Sequence, residues 1–107
     1  MIKAMIFLKR REEMTLEGFK SWWLEQHRFL ADNLPGLRRH TFNLMSDGPF
    51  DAVVEQWFDS QYDLTTSYGT EVGDRVVADS RRHVSVRQRV IVEEFDFDIS
   101  GRGDLDR

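Results

Sequence analysis

The sequence predicts an α+β domain in which a four-stranded antiparallel sheet carries helices on one face. Segments with strand-like and helical patterning follow one another in the order strand, helix, strand, strand, helix, strand. Such a split βαβ order forms one antiparallel sheet with both helices on the same side. The chain of 107 residues has no internal repeat or linker and suffices for one domain. We assign this domain to residues 1–99 and expect 100–107 to form a flexible polar tail.

The first strand is predicted over residues 2–8. Its alternating side chains are apolar on both faces, so both faces should be covered in the folded protein. A charged connection over 9–14 leads to Thr15, whose hydroxyl can accept a hydrogen bond from a free backbone N–H and so cap a helix.

The helix after Thr15 is the most informative segment. At about 100° of rotation per residue it has one apolar stripe, which consists of Leu16, Phe19, Trp23, Gln26 and Leu30. Trp22 and His27 lie on the two flanks of this stripe. The helix should end before Pro35, because the residue that precedes a proline is disfavoured in the α conformation.

The second half of the chain contains the remaining elements. In order, we predict a strand over 37–45, a turn over 46–49, a strand over 52–58, a helical region running towards Ala78 and a strand over 84–95. Asp59 or Ser60 can cap the helical region, and we expect interruptions near Gly69 and Gly73.

Helices on one face leave the other face of the sheet open. Several apolar side chains suggest that this face is also partly apolar: Met5, Phe7, Phe42, Leu44 and Trp57. A second copy of the same sheet is the most economical cover, since two-fold homodimers are the commonest soluble oligomers. We therefore predict a homodimer that forms through the sheet face.

Composition argues against several classes of function. The chain has no cysteine, so it has neither disulfides nor thiolate metal sites, and its three histidines lack the short spacing typical of metal ligands. The net charge of −4 argues against a nucleic-acid partner. No apolar run is long enough to span a bilayer and no signal peptide is evident, so we expect a cytoplasmic protein that does not bind membranes.

Three segments carry a family resemblance: the strand over 1–9, the helical run from Phe19 to His27, and the closure Leu34-Pro35-Gly36-Leu37. On these residues the chain resembles the EthD-like family of the dimeric α+β barrel superfamily. The resemblance implies a ferredoxin-like protomer, a dimer whose sheets pack into a barrel, and a pocket between sheet and helix. It constrains function less, because this superfamily hosts isomerases, cyclases, cofactor-free oxygenases and haem-degrading enzymes.

The related methylmuconolactone isomerase group indicates which residues could be catalytic. In that group, a histidine on the first helix and a tyrosine on the second strand face the substrate. His27 matches the histidine, whereas His40 stands where the tyrosine would be. Both are candidate catalytic residues, since an imidazole titrates near neutrality and can accept and return a proton. The structural alternatives are a core-edge histidine for His27 and a surface histidine for His40.

We predict that the protein binds a small hydrophobic or aromatic metabolite without a cofactor, in a pocket lined by Trp22, Phe7, Phe42 and Trp57. Aromatic side chains at helical spacing are more often part of a core, so this assignment has a structural alternative too. Whether the protein is an enzyme stays open at this point. One hypothesis is an isomerase, cyclase or dehydratase that uses histidine proton transfer. The others are a non-catalytic accessory protein of ether or aromatic catabolism and, third, a cofactor-free or haem-linked oxygenase.

Overall fold

The computed structural model describes residues 1–100, so the predicted tail lies outside the described residues except for Ser100. The four strands are β1 (Ile2–Arg10), β2 (Arg39–Leu44), β3 (Ala52–Phe58) and β4 (Val84–Val92). The first helix consists of three consecutive segments, Leu16–Trp22, Trp23–His27 and Arg28–Ala31. The second helix is Gln61–Tyr68 and the third is Glu71–His83. The predicted element order is confirmed, with the second helical region divided in two.

The strands form one antiparallel sheet in the order β2-β3-β1-β4. β1 lies in the centre, where Ile6 pairs with Val54 of β3 and with Arg89 of β4. Directly opposed residues of antiparallel strands point to the same face, so this register fixes which side chains meet the helices. The predicted α+β class with a four-stranded antiparallel sheet is confirmed.

The first helix begins as predicted, because the Thr15 hydroxyl accepts a hydrogen bond from the backbone N–H of Gly18 at 3.0 Å. Its middle segment, Trp23–His27, is a π-helix. A π-helical turn is wider than an α-turn, so it changes which side chains face the sheet. Gln26, which regular α-helical spacing places in the apolar stripe, is exposed, whereas His27 is buried.

The second and third helices differ from the prediction at two points. The predicted break at Gly69 is confirmed, since the second helix ends at Tyr68 and Gly69 is its C-cap. Gly73 does not interrupt a helix: it lies inside the third helix, where a Cβ would come 2.6 Å from the Tyr68 Cα. The third helix also continues past Ala78 to His83. Gly73 thus allows two helices to approach closely, and this need for space could not be read from the local sequence.

The two faces of the sheet differ in composition. The helix-facing side contains the core, with Leu8 of β1 and Phe58 of β3 fully buried beneath Phe19 and Leu64 of the helices. Phe42 and Leu44 also belong to this side by their pairing with β3, so their predicted place on the open face is wrong. The register places seven apolar residues on the open face: Met5, Phe7, Val53, Trp57, Val86, Val90 and Val92.

A charged cluster lies among these apolar residues on the open face. The Lys3 ammonium donates hydrogen bonds to Glu55 at 2.8 Å and to Glu94 at 2.6 Å, and only 8% of Lys3 is exposed. Trp57 donates its indole N–H to the same Glu94 at 3.0 Å. These hydrogen bonds raise the pKa of Lys3 and lower the pKa of Glu55. The charges on this face are therefore paired, which limits the cost of covering it.

Candidate functional site

A small cavity separates the helices from the centre of the sheet. Its volume is ≈ 10 Å³, which is roughly the space of one water molecule. Eleven residues line it: Ile6, Leu8, Trp23, His27, Ala31, Val54, Gln56, Tyr68, Val76, Ser80 and Arg87. Most of the wall is apolar, and the polar groups come from several different helices and strands. Convergence of a few polar groups on an apolar cavity is typical of small-molecule sites.

His27 is held in this cavity by a carboxylate. Its Nδ1 lies 2.8 Å from the Oδ2 atom of Asp79, and the residue is 4% exposed. A carboxylate is an acceptor, so Nδ1 carries the proton and Nε2 of the neutral ring is the acceptor nitrogen. Nε2 lies 3.4 Å from the Ser80 hydroxyl, which also lines the cavity. The basic nitrogen is therefore next to a hydroxyl group of another residue of the cavity wall.

Asp79 is fixed by three further hydrogen bonds, one of which comes from the Arg82 guanidinium to Oδ1 at 3.3 Å. Trp22 donates its indole N–H to Oδ2 at 3.1 Å, and His83 donates from Nδ1 to the Asp79 carbonyl at 2.8 Å. The rings of Trp22 and His83 stack at 4.3 Å. Asp79 and Ser80 are adjacent on the third helix, so one helix presents a partner to each nitrogen of His27. This arrangement orients the imidazole from both sides.

Burial sets the charge state of His27. Removal from water lowers its pKa below 6.5, more than the Asp79 carboxylate raises it. Burial alone would raise the pKa of Asp79, but the hydrogen bonds from His27 and Trp22 outweigh it and hold that pKa below its usual value. At neutral pH the pair is consequently a neutral imidazole beside an ionised carboxylate. This is the state in which Nε2 can act as a general base.

Three further polar residues of the cavity escaped the sequence prediction. The Tyr68 hydroxyl donates to Gln56 Oε1 at 2.7 Å, and burial raises the pKa of Tyr68. Arg87 of β4 is the third. A signal for Arg87 did exist, because it and Arg89 alternate with valines and so belong to the strand face opposite those valines. For Gln56 the signal was a polar residue on a strand face otherwise formed by Ala52, Val54 and Phe58. Tyr68 stands among threonine, serine and glycine and had no such signal.

His40 lies in a different space from His27. It lines a cleft of ≈ 390 Å³ between the first helix and β2, together with Leu24 and Arg28. Its Nε2 lies 2.6 Å from Asp32, whereas its Nδ1 is buried without a hydrogen-bond partner in residues 1–100. The Trp23 ring lies between the two histidines, 5.9 Å from His27 and 5.8 Å from His40. Trp23 lines both the cavity and the cleft and so separates them.

The four predicted pocket residues are distributed over the fold. Trp22 donates a hydrogen bond to Asp79 and is not part of the cavity wall. Phe42 stacks on Trp23 at 4.4 Å in the wall of the cleft. Phe7 and Trp57 lie on the open face of the sheet. The structure thus places Trp22 and Phe42 next to a wall of the cavity or the cleft, and Phe7 and Trp57 on the opposite side of the sheet. Their role in substrate binding stays a prediction.

Within residues 1–100, no three His, Asp or Glu side chains are grouped so that they could hold a metal ion.

The fold and the cavity define a small α+β protein with a split βαβ sheet and a buried histidine between helix and sheet. The family model for the EthD domain matches residues 11–86. The chain belongs to the EthD family.

Solved structures share this fold. An ethyl tert-butyl ether D (EthD) family protein from Bacillus halodurans matches with a TM-score of 0.77 and 22% identity over 89% of this chain and 100% of that chain. A dimeric ferredoxin-like protein of unknown function from Thermobifida fusca matches with a TM-score of 0.70 and 14% identity, over 87% and 90% of the two chains. SnoaB, a cofactor-independent oxygenase from Streptomyces nogalater, matches with a TM-score of 0.69 and 12% identity, over 90% and 94%. The predicted ferredoxin-like fold is confirmed.

A sequence comparison with curated proteins found no significant match. Among the helices of residues 1–100, none has the length and apolar character needed to cross a membrane.

Proposed function

We propose that this EthD protein binds a small hydrophobic or aromatic metabolite between its helices and sheet, and that His27 moves a proton on that ligand. The observation that carries the proposal is the His27–Asp79 pair in the wall of the cavity, with Nε2 next to the hydroxyl of Ser80, another wall residue. The corresponding reaction class is an isomerisation, cyclisation or dehydration without a bound cofactor. In each of these reactions a base removes a proton from an acidic carbon or hydroxyl and returns it to another atom.

A metabolite needs more room than the cavity of ≈ 10 Å³ provides. The cleft beside His40 is larger, at ≈ 390 Å³, and Trp23 is the partition between them. Displacement of the Trp23 indole joins the two spaces and brings both histidines to one pocket. Trp23 begins the π-helical segment, and such segments occur frequently at functional sites. This path supports a role for His40 as the second proton-transfer group.

The test uses carbon–hydrogen exchange, which detects proton abstraction whatever product is formed. Aromatic and unsaturated lactones, ketones and carboxylic acids are incubated with the protein in D₂O, and deuterium incorporation is followed by NMR. Wild type should exchange at least one carbon-bound proton of a bound compound, and His27→Gln should not. His83→Gln is the matched control, because His83 contacts Asp79 but lies outside the cavity wall. Binding without exchange in wild type would instead favour the alternative function, a non-catalytic accessory protein of ether or aromatic catabolism.

An oxygenase is the second candidate reaction. It is favoured by the structural similarity to SnoaB, which is described as a cofactor-independent oxygenase. Oxygen uptake during incubation with a bound phenolic compound distinguishes it from proton transfer, which consumes no oxygen. A new absorbance band on addition of haem tests the haem-linked variant of this chemistry.

We also propose that two copies associate through the open face of the sheet. This face carries seven apolar residues by its register, and its buried lysine is already paired with two carboxylates. The Thermobifida fusca protein, which is described as dimeric, supports self-association of this fold. Sedimentation equilibrium should give a dimer for wild type and a monomer for Phe7→Glu. Tyr62→Glu is the control, since Tyr62 is 77% exposed on the second helix; a monomeric wild type would contradict this proposal.

A further inference from the structure

Arg87 lies in the wall of the cavity and has no counter-ion among the residues that the structure describes. It pairs with Leu8 of β1, which directs its side chain to the helix side of the sheet. Its Nε is buried and has no hydrogen-bond partner, and none of the ion pairs within residues 1–100 includes it. Arg87 is half-buried, and a guanidinium at such a position normally has a carboxylate or several acceptors beside it. The position is therefore costly for the fold and calls for an explanation.

Within residues 1–100, the groups that act on Arg87 are other cations and the Tyr68 phenol, which stabilises the guanidinium but is not a carboxylate. Arg89 lies on the same face of β4, and it and Arg81 repel the Arg87 guanidinium. The Tyr68 ring provides a π face to both β4 arginines, 5.7 Å from Arg87 and 4.9 Å from Arg89. Such contacts offset part of the cost of burial. The carboxylate of Asp79 is engaged by His27 and Trp22.

We propose that the cavity receives the carboxylate group of an organic acid, which is held by Arg87 next to Nε2 of His27. A guanidinium offers a planar fork of N–H donors that matches a carboxylate in two parallel hydrogen bonds. The space of about one water molecule suits one carboxylate oxygen. The apolar part of the acid then extends past Trp23 towards the cleft. This inference rests on the proposed function, because it places the ligand at the same site, and it narrows the ligand to anionic acids.

The test compares a carboxylate with its neutral amide. Benzoate and benzamide have nearly the same shape, but the amide has no charge and replaces one acceptor oxygen by an N–H donor group, so it cannot accept two hydrogen bonds from a guanidinium fork. Each is titrated into ¹⁵N-labelled protein while the Nε–H signal of Arg87 is followed by NMR. Benzoate should shift this signal to saturation, benzamide should not, and Arg87→Met should weaken benzoate binding by about tenfold or more. Arg75→Met is the matched control, because Arg75 is exposed on the third helix and paired with Glu71.

A second measurement tests the structural premise. Arg87→Met replaces a half-buried charge that has no ion-pair partner within residues 1–100 by an apolar chain of similar length, so the thermal midpoint should stay the same or rise. A clear fall would show that the guanidinium stabilises the fold, and would overturn the inference.

The remaining outcomes separate this inference from the proposed function. If benzamide binds as tightly as benzoate, or if Arg87→Met leaves benzoate binding unchanged, the carboxylate site is refuted and ligand binding in the cavity stands. If neither compound shifts any cavity signal, the carboxylate site is refuted as well. The proposed function then depends on the deuterium-exchange experiment alone, in which neutral lactones and ketones are included.

Discussion

Removal of the Asp79 carboxylate is the most direct perturbation of the site. In Asp79→Ala, the Nδ1–H of His27 and the indole N–H of Trp22 lose their common acceptor, from 2.8 and 3.1 Å respectively. Both donors are buried, since His27 and Trp22 are each 4% exposed. The variant therefore leaves two donors unsatisfied in the core instead of exchanging them with water.

The expected loss follows from these two donors. A buried donor without a partner costs about 1–3 kcal/mol, so two cost about 2–6 kcal/mol. The side chain of Asp79 is 16% exposed, and its removal gives water some access to the vacated space. We therefore expect a loss at the lower end, of about 2–3 kcal/mol. A domain of this size has a total stability of about 5–15 kcal/mol, so the change is easily measured.

Urea denaturation at pH 7, followed by circular dichroism and tryptophan fluorescence, gives the free energy of unfolding. Asp74→Ala is the matched control on the same helix, because Asp74 is exposed and lies in the first turn. The control should lose no more than about 1 kcal/mol through the helix dipole. Equal losses in the two variants would refute the account of Asp79 as the acceptor that holds His27 in place.

Three further predictions concern other parts of the molecule. Burial lowers the pKa of His27, so in acid the unfolded chain binds a proton that the folded chain does not. The free energy of unfolding should therefore fall as the pH drops through about 6.5 towards the lower pKa of the folded state. Thermal midpoints should show this fall in wild type but not in His27→Gln. Gly73→Ala should lower the free energy of unfolding by about 1–3 kcal/mol in urea denaturation, because the added Cβ would lie 2.6 Å from the Tyr68 backbone. In the control Gly69→Ala the added Cβ has contacts of 3.4 Å and longer, so the free energy of unfolding should change little. Lys3→Met should lower the urea midpoint in the same assay, because Glu55 and Glu94 lose their shared cation; an unchanged midpoint would contradict this.

The fold was largely predictable because its signals are local. Alternating apolar residues identified β1 and β3, and Thr15 and Ser60 cap their helices through hydrogen bonds to the backbone three residues later. Element ends were less predictable: β4 stops at Val92, although its alternation continues towards Phe95. The pairing of β4 with β1 ends at Val92, which is opposite Lys3 near the start of β1. The end of β4 is thus set by another segment of the chain.

The site was only half predictable, for a different reason. His27 could be singled out from the sequence, because an ionisable residue at the border of an aromatic helix face is unusual. Its partners Asp79 and Ser80 lie more than fifty residues away. No local pattern indicates that these two helices cross there. The π-helical segment adds a second difficulty, since ideal α-helical rotation places Gln26 instead of His27 towards the sheet.

The polar lining of the cavity is itself an argument for function. Gln56 and Arg87 occupy sheet positions whose direct neighbours are Ala4 and Leu8, where an apolar residue would pack at lower cost. Only part of this polarity is satisfied internally, because Gln56 accepts from Tyr68 whereas the Arg87 Nε has no partner within residues 1–100. A sequence that breaks its own binary pattern in this way usually does so at a functional site. A purely structural role of these polar residues would account for Gln56, which is hydrogen-bonded, but not for Arg87. Arg87 is therefore the residue that favours a ligand-binding cavity over an imperfectly packed core.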